Sequence, residues 1–143
     1  MSADCVFCRI VAGELPAYRV AEDGSFLAIM DIYPAAVGHV LVLPKNHCLG
    51  LLDMEAEDAS GLLPFAAKVA RGVMEATGAD GFNMLQNNGA AAWQAVMHYH
   101  AHIIPRRKAD KVKFPCPPGK ADDKELRALA DKIKARIDDW IAD

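Results

Sequence analysis

Apolar residues along this chain fall into short unbroken runs and one longer stretch with helical spacing. Phe26-Leu27-Ala28-Ile29-Met30 follows the turn-like Glu22-Asp23-Gly24-Ser25 and predicts a buried strand. Gly38-His39-Val40-Leu41-Val42-Leu43 predicts a second, stopped by Pro44, which cannot donate to a central ladder. Tyr33-Pro34-Ala35-Ala36-Val37-Gly38 then reads as a hairpin connection between the two. Over residues 54–77 the period lengthens. Leu62, Phe65, Ala66, Val69, Val73 and Met74 recur at three- and four-residue spacing, which marks one buried helix face, and Gly78 supplies a stop. Pro64 requires either that Ser60 caps a helix beginning nearby or that the helix kinks. Residues 81–86 and 98–105 predict two more strands, joined by Asn87-Asn88-Gly89 and an alanine-rich loop. Residues 108–121 predict a loop rich in proline and lysine. Asp122 or Asp123 then caps a helix over residues 122–141 whose apolar face is Leu126, Leu129, Ile133, Ile137 and Trp140. Strands, one long helix, strands and a last helix predict an α+β fold, an antiparallel sheet with helices packed beside it.

Composition narrows the class. At 143 residues and 52% hydrophobic content the chain is expected to form a single domain over residues 1–143 with a proper core. A net charge of −3 provides no general basic surface for a nucleic-acid backbone, though a local site for a small anion stays open. No apolar run approaches the roughly 18–20 residues that span a bilayer. Met1-Ser2-Ala3-Asp4-Cys5 lacks the charged start and apolar stretch of a signal peptide, so a cytoplasmic, reduced setting is expected. In that setting Cys5, Cys8, Cys48 and Cys116 are expected as thiols or metal ligands rather than a disulfide framework.

The five histidines carry the candidate chemistry: His39, His47, His98, His100 and His102. The last three alternate, so on one strand they share a face while Tyr99, Ala101 and Ile103 point away. Strand rise puts neighbours roughly 6.5–7 Å apart and the outer pair about 13 Å apart. With ligand bonds of about 2 Å, no single metal ion takes all three. Two adjacent ones could share an ion. A row of imidazoles suits a relay better, one end structural, the middle facing a ligand and the far end handling a proton. The plain alternative is chance placement on a wet sheet face. An imidazole with pKa near 6.5 is largely neutral and nucleophilic at pH 7, and one ring nitrogen can be held while the other attacks.

His98-Tyr99-His100-Ala101-His102-Ile103-Ile104 resembles the His-φ-His-φ-His-φ-φ signature of the histidine triad (HIT) family, φ being hydrophobic. Cys5-Val6-Phe7-Cys8-Arg9-Ile10 and Gly13-Glu14-Leu15-Pro16-Ala17 are similar to the family's opening. Asp31-Ile32-Tyr33-Pro34 and the segment from Gly38 to Lys45 resemble its central hairpin. Gly81-Phe82-Asn83, Asn87-Asn88-Gly89, Gln94 and Ile104-Pro105-Arg106 complete a likeness over nearly the whole chain. The resemblance implies a HIT-like fold: an antiparallel sheet of about five strands, one long central helix and a C-terminal helix. It also implies nucleotidyl transfer or hydrolysis at an α-phosphate without a catalytic metal. By position, His100 would attack phosphorus and form a nucleotidyl-histidine that water cleaves. His102 would contact phosphate oxygens and assist the leaving group, while His39 and His98 orient the nucleophile's surroundings. Asp31 matches the acidic residue on the ribose hydroxyls, a task for which a carboxylate accepting two hydrogen bonds is suited. Val6, Phe7, Ile10, Ile29, Ile32 and Leu41 fall where the family lines its base pocket, and Asn87 and Gln94 in its phosphate-binding part. Backbone N–H groups of residues 89–94 are expected to help neutralise phosphate charge. Two departures stand out. Trp93 replaces a usual glycine, so its indole is expected to narrow the phosphate site, and Ala95 replaces an occasional hydroxyl donor.

Cys5-x-x-Cys8 has a spacing common in zinc sites, although thioredoxin-like motifs share it. His47 and His98 could complete a Cys₂His₂ set, and some similar bacterial members carry zinc on residues matching these four. The resemblance therefore implies a structural zinc ion that pins the N-terminal arm. The alternative is two reduced thiols near two hydrogen-bonded histidines. The leading expectation for function is a hydrolase or transferase of purine nucleoside phosphoramidates or adenylyl conjugates. Dinucleoside polyphosphates are the rival substrates, and a nucleotide- or zinc-binding interaction module with little turnover is the rival class. Members of this size usually pair as homodimers that extend one sheet across two subunits.

Overall fold

A computed structural model describes residues 4–113 and 119–141, with side chains to residue 139. The chain divides into two compact units, Met1–Val112 and Lys113–Asp143. In the first unit, a short helix α1 (Val6–Val11) precedes strands β1 (Arg19–Glu22), β2 (Phe26–Met30) and β3 (Val40–Pro44). The long helix α2 (Ala56–Thr77), β4 (Gly81–Gln86) and β5 (Ala101–Arg106) follow. Every pairing is antiparallel and the spatial order is β1-β2-β3-β5-β4, so the last strand inserts beside β3.

The unbroken apolar runs are explained by burial on both sheet faces. Phe26, Ala28, Val40, Val42, Ala101 and Ile103 pack against Leu62, Phe65, Ala66, Val69 and Val73 of α2. Leu27, Ile29, Leu41 and Leu43, one residue out of step, meet Phe7, Cys8 and Ile10 of α1. Leu41 lies opposite His102 in the β3–β5 register, so period-two alternation puts His102 on the α1 side. Pro44 ends β3 opposite Phe26, beyond the residues that pair with β5, where no ladder donor is needed.

The long helix begins before the serine considered as its cap. Glu55 is the N-cap, and the Ser60 hydroxyl instead donates to the Glu57 carbonyl. Pro64 lies inside the helix on its exposed side, where water can satisfy the carbonyl that its ring leaves without a donor. Gly78 ends α2 in the left-handed conformation at φ 61°. Gly38, at φ +91°, is held against Thr77 and Pro105 so closely that a Cβ would lie 2.6 Å from Thr77 Cγ2. This glycine lets the β2–β3 connection turn tightly and deliver His39.

Two elements escape periodicity: α1 spans only six residues, and β1 is a largely exposed edge strand. The last strand is also shorter than expected, since β5 begins at Ala101. His98 to His100 approach it outside the ladder, fastened by the Tyr99 N–H donating to the Cys48 carbonyl at 2.8 Å. In the second unit, Asp122 caps helix α3 (Asp123–Ile141) by accepting from the backbone of Lys124 and Glu125. Leu126, Leu129, Ile133 and Ile137 on α3 are half exposed, while the Trp140 side chain, Cys116 and the three loop prolines lie outside the described residues. Among the described residues no helix is long and apolar enough to cross a membrane.

Candidate functional site

Between α1 and the histidine-bearing face of the sheet lies a cavity of about 360 Å³. Its apolar wall comes from Val6, Phe7 and Ile10 of α1, Ile29 of β2, Ile32 and Leu41. Asp31, His100 and His102 line the same space. Nine of the predicted site residues are thus brought together. Pro16, Ala17, Met30, Tyr33 and Val96 join them without having been singled out, because nothing in local spacing marks a loop residue as a cavity wall.

Backbone partners settle the histidine tautomers, since an amide N–H can only donate and a carbonyl can only accept. His100 Nδ1 lies 2.7 Å from the His98 carbonyl and must donate to it, so the lone pair of neutral His100 is on Nε2. The Ala35 N–H donates to His39 Nδ1 at 3.0 Å, which places the His39 proton on Nε2. That Nε2–H meets His102 Nδ1 at 2.9 Å, with an Asp31 carboxylate oxygen 3.5 Å away. His102 therefore keeps its proton on Nε2, which is buried and has no hydrogen-bond partner among the described residues. An unpartnered buried donor is costly, and an anionic ligand oxygen would satisfy it.

Burial sets the charge of these rings. Desolvation, reinforced by His100 and His39, pulls His102 down to about 4 against a weaker upward pull from Asp31. His39 is lowered by the same burial. Between pH 6.5 and about 4 an unfolded His102 binds a proton that the folded one does not. Its contribution to stability is therefore present above pH 6.5 and is lost as pH falls toward 4. Melting temperature is expected to fall across that window and to fall less steeply in His102→Gln; equal slopes would contradict this.

Other predicted residues stand apart from the cavity. Asn87 follows β4 and Gln94 lies in the next loop; neither lines the cavity. Gln94 is buried and its amide ties the loop to the segment after β3, accepting from the Gly89 N–H and donating to the carbonyls of Leu49 and Val96. The N–H groups of Gly89, Ala92, Trp93 and Gln94 are likewise engaged within this segment, and Ala95 and Val96 are its residues that line the cavity. Trp93 keeps a glycine-like conformation at φ 64°, but its side chain is 63% exposed and does not line the cavity. Trp93→Gly is expected to leave nucleotide affinity within about twofold and to cost nothing in stability, because it removes a left-handed strain of about 1 kcal/mol. Calorimetry and thermal melts check both.

A second constellation adjoins the first. Cys5, Cys8, His47 and His98 present ligand atoms all within 4.8 Å of one another. His47 Nδ1 and His98 Nδ1 are 3.2 Å apart; Cys8 Sγ lies 3.3 Å from the former, and Cys5 Sγ lies 3.4 Å from the latter. Tetrahedral bonds of about 2.0–2.3 Å give edges of roughly 3.3–3.8 Å, so these spacings fit one small ion. His98 Nε2 donates to the Pro44 carbonyl at 2.8 Å, which turns the unprotonated Nδ1 toward the cluster, as metal-binding imidazoles require. Burial also lowers the His98 pKa and keeps the ring neutral. Cys5, Cys8 and Cys48 form no disulfide. Cys48 is buried elsewhere and is not one of the four, its thiol pushed up to about 11 by desolvation.

Comparison with known proteins places these features in a wider group. The HIT domain pattern matches residues 12–109. An adenosine 5'-monophosphoramidase of Schizosaccharomyces pombe is 37% identical over 136 residues, covering 93% of this chain and 98% of that protein. A crystal structure from Streptococcus mutans superposes with a TM-score of 0.90 at 39% identity, covering 96% of this chain and 87% of that one. A zinc-bound histidine triad family protein from Mycobacterium smegmatis superposes with a TM-score of 0.74 at 41% identity, covering 93% and 97% of the two chains. The domain match runs through both the cavity face and the histidine row, and this chain belongs to the HIT family.

Proposed function

We propose that this chain hydrolyses nucleoside phosphoramidates and related adenylyl conjugates at the α-phosphorus through a nucleotidyl intermediate on His100. The observation that carries this reading is the tautomer of His100, held on Nδ1 by a backbone carbonyl and therefore nucleophilic at Nε2 on the cavity. The base lies against Val6, Phe7, Ile10, Ile29, Ile32 and Leu41, a wall large and apolar enough for a purine. Asp31 accepts from the ribose hydroxyls. A phosphate oxygen takes the unpartnered Nε2–H of His102. That anion also opposes the desolvation holding His102 neutral and favours its protonated form.

In the first step His100 Nε2 bonds to phosphorus as the P–N bond to the leaving amine breaks, and His102, protonated at both nitrogens once its Nδ1 no longer accepts from His39, gives the amine its Nε2 proton. The cation formed on His100 is stabilised by the His98 carbonyl at Nδ1. Water then attacks phosphorus, loses a proton to His102 and releases His100, which restores the starting state. Before substrate enters, His39, hydrogen-bonded to neutral His102, keeps that ring oriented. The protein's own groups supply positioning and charge stabilisation, the main requirements of in-line displacement. The test is AMP release from an adenosine phosphoramidate, and no release would defeat the reading.

The Cys5, Cys8, His47 and His98 cluster fits zinc as a closed structural site. Four protein ligands leave no open position for chemistry. Zinc at this site joins the N-terminal arm to the loop after β3 and to the triad segment. Metal analysis of purified protein is expected to find one zinc per chain; none would remove the proposal. Homodimerisation is read from β4, an edge strand whose Phe82 and Met84 are partly exposed. Pairing there extends the sheet across two subunits, and sedimentation equilibrium showing a monomer would overturn it.

A further inference from the structure

The metal cluster and the cavity share one element. Helix α1 has six residues and is capped by the Cys5 sulfur, which accepts from the Cys8 N–H. A helix this short has little stability of its own and depends on tertiary contacts. Its cap and third residue, Cys5 and Cys8, belong to the cluster, whereas Val6, Phe7 and Ile10 line the cavity. Phe7, between the two cysteines in sequence, stands edge-on to both His98 and His100, with ring centroids 5.8 and 5.1 Å away. His98 provides a second link. Its Nδ1 faces the cluster while its carbonyl holds His100 Nδ1. The apolar wall and the candidate nucleophile are therefore both attached to groups that a bound ion would fix.

We propose that metal binding at Cys5, Cys8, His47 and His98 controls nucleotide affinity by holding α1 and the His98 backbone in the pose that forms the cavity. Cys5 and Cys8 are then positioning residues, acting through Phe7. The inference rests on the readings that the cluster takes zinc and the cavity takes a nucleotide. Without the ion, α1 is still joined to the triad segment by thiol–imidazole contacts and packing, which are weaker than metal–ligand bonds. Couplings between linked sites are typically worth about 5–150-fold in affinity. The AMP dissociation constant is expected to rise at least about tenfold when zinc is removed, and by linkage AMP must tighten zinc by the same factor. A cluster that only stabilised the fold would lower the melting temperature but leave the AMP affinity of folded molecules unchanged.

The experiment uses the full chain, with zinc counted by mass spectrometry. AMP is titrated by calorimetry into loaded, chelator-stripped and zinc-restored protein, and circular dichroism reports the folded fraction. Zinc affinity is then measured on loaded protein by chelator competition, with and without saturating AMP, so the test survives if stripped protein unfolds. Phe7→Leu, which keeps all four ligands, is expected to bind zinc normally but to show a smaller zinc effect on AMP. AMP weakened and restored with zinc, with matching protection of zinc by AMP, supports the coupling. Zinc bound but indifferent to AMP in both directions overturns the coupling and leaves the zinc reading standing. Protein that holds no zinc overturns both. Loaded protein that does not bind AMP overturns the nucleotide reading and the coupling with it.

Discussion

Replacing His100 with alanine is expected to lower AMP release from an adenosine phosphoramidate by at least about 10⁴-fold, the scale on which nucleophiles fail when deleted. Only this histidine combines a cavity position with a lone pair left on Nε2 by a carbonyl on Nδ1. Its ring otherwise makes edge-on approaches to Phe7 and His102 and one hydrogen bond to a backbone carbonyl. The variant should therefore stay folded and still bind AMP. His102→Ala removes a proton donor rather than the bond-forming atom, and a smaller loss of about 10²–10³-fold is expected. Mass spectrometry of wild-type protein caught during turnover should find the nucleotidyl adduct on His100, and His100→Ala should carry none. Equal AMP release by wild type and His100→Ala would remove this residue from the mechanism.

The largest stability effect is expected from the zinc ligands. Cys8 is almost fully buried, and its Sγ lies within 3.6 Å of the ring nitrogens of both His47 and His98. Cys8→Ala opens a four-ligand site, and metal-binding energy in such sites is folding energy. The expected cost is at least about 3 kcal/mol, a fall in melting temperature of roughly 10 °C for a chain of this size. Cys48→Ala is the matched control. It also deletes a buried thiol, but one outside the cluster, so it should keep its zinc and lose no more than about 1–2 kcal/mol. Similar melting shifts and full zinc in both variants would show that Cys8 matters only as packing.

Much of the architecture was legible because burial leaves a regular trace. The β2 and β3 runs are apolar at every position because α2 covers one sheet face and α1 with the cavity covers the other. The α2 stripe is spaced at three and four residues because only one face of that helix is buried. By contrast, α1 is too short to establish a period, and β1 is an edge strand with little to bury, so neither could be read. The start of α2 was obscured by Pro64, which local propensity treats as a breaker but which the helix tolerates on its wet side. In loop 89–96 residue type suggested phosphate contact, and the tertiary structure adds that Gln94 and four backbone N–H groups hold the loop in shape, one of the Gln94 bonds reaching Leu49 outside it.

For the histidine row, strand spacing argued against one metal ion for all three imidazoles, although His98 and His100 lie outside β5 and the His100 and His102 ring centroids are only 5.1 Å apart. Residue type and order were enough to mark the family likeness, the cysteine pair and the apolar wall, because these are properties of the chain itself. The division of labour among the rings depends on groups distant in sequence. The Pro44 carbonyl turns His98 toward the cysteines, the His98 carbonyl leaves Nε2 of His100 as acceptor, and the Ala35 amide acts through His39 to leave His102 a buried donor. A tautomer is fixed by whichever donor or acceptor the fold brings to each nitrogen. No pattern along the chain encodes that directly.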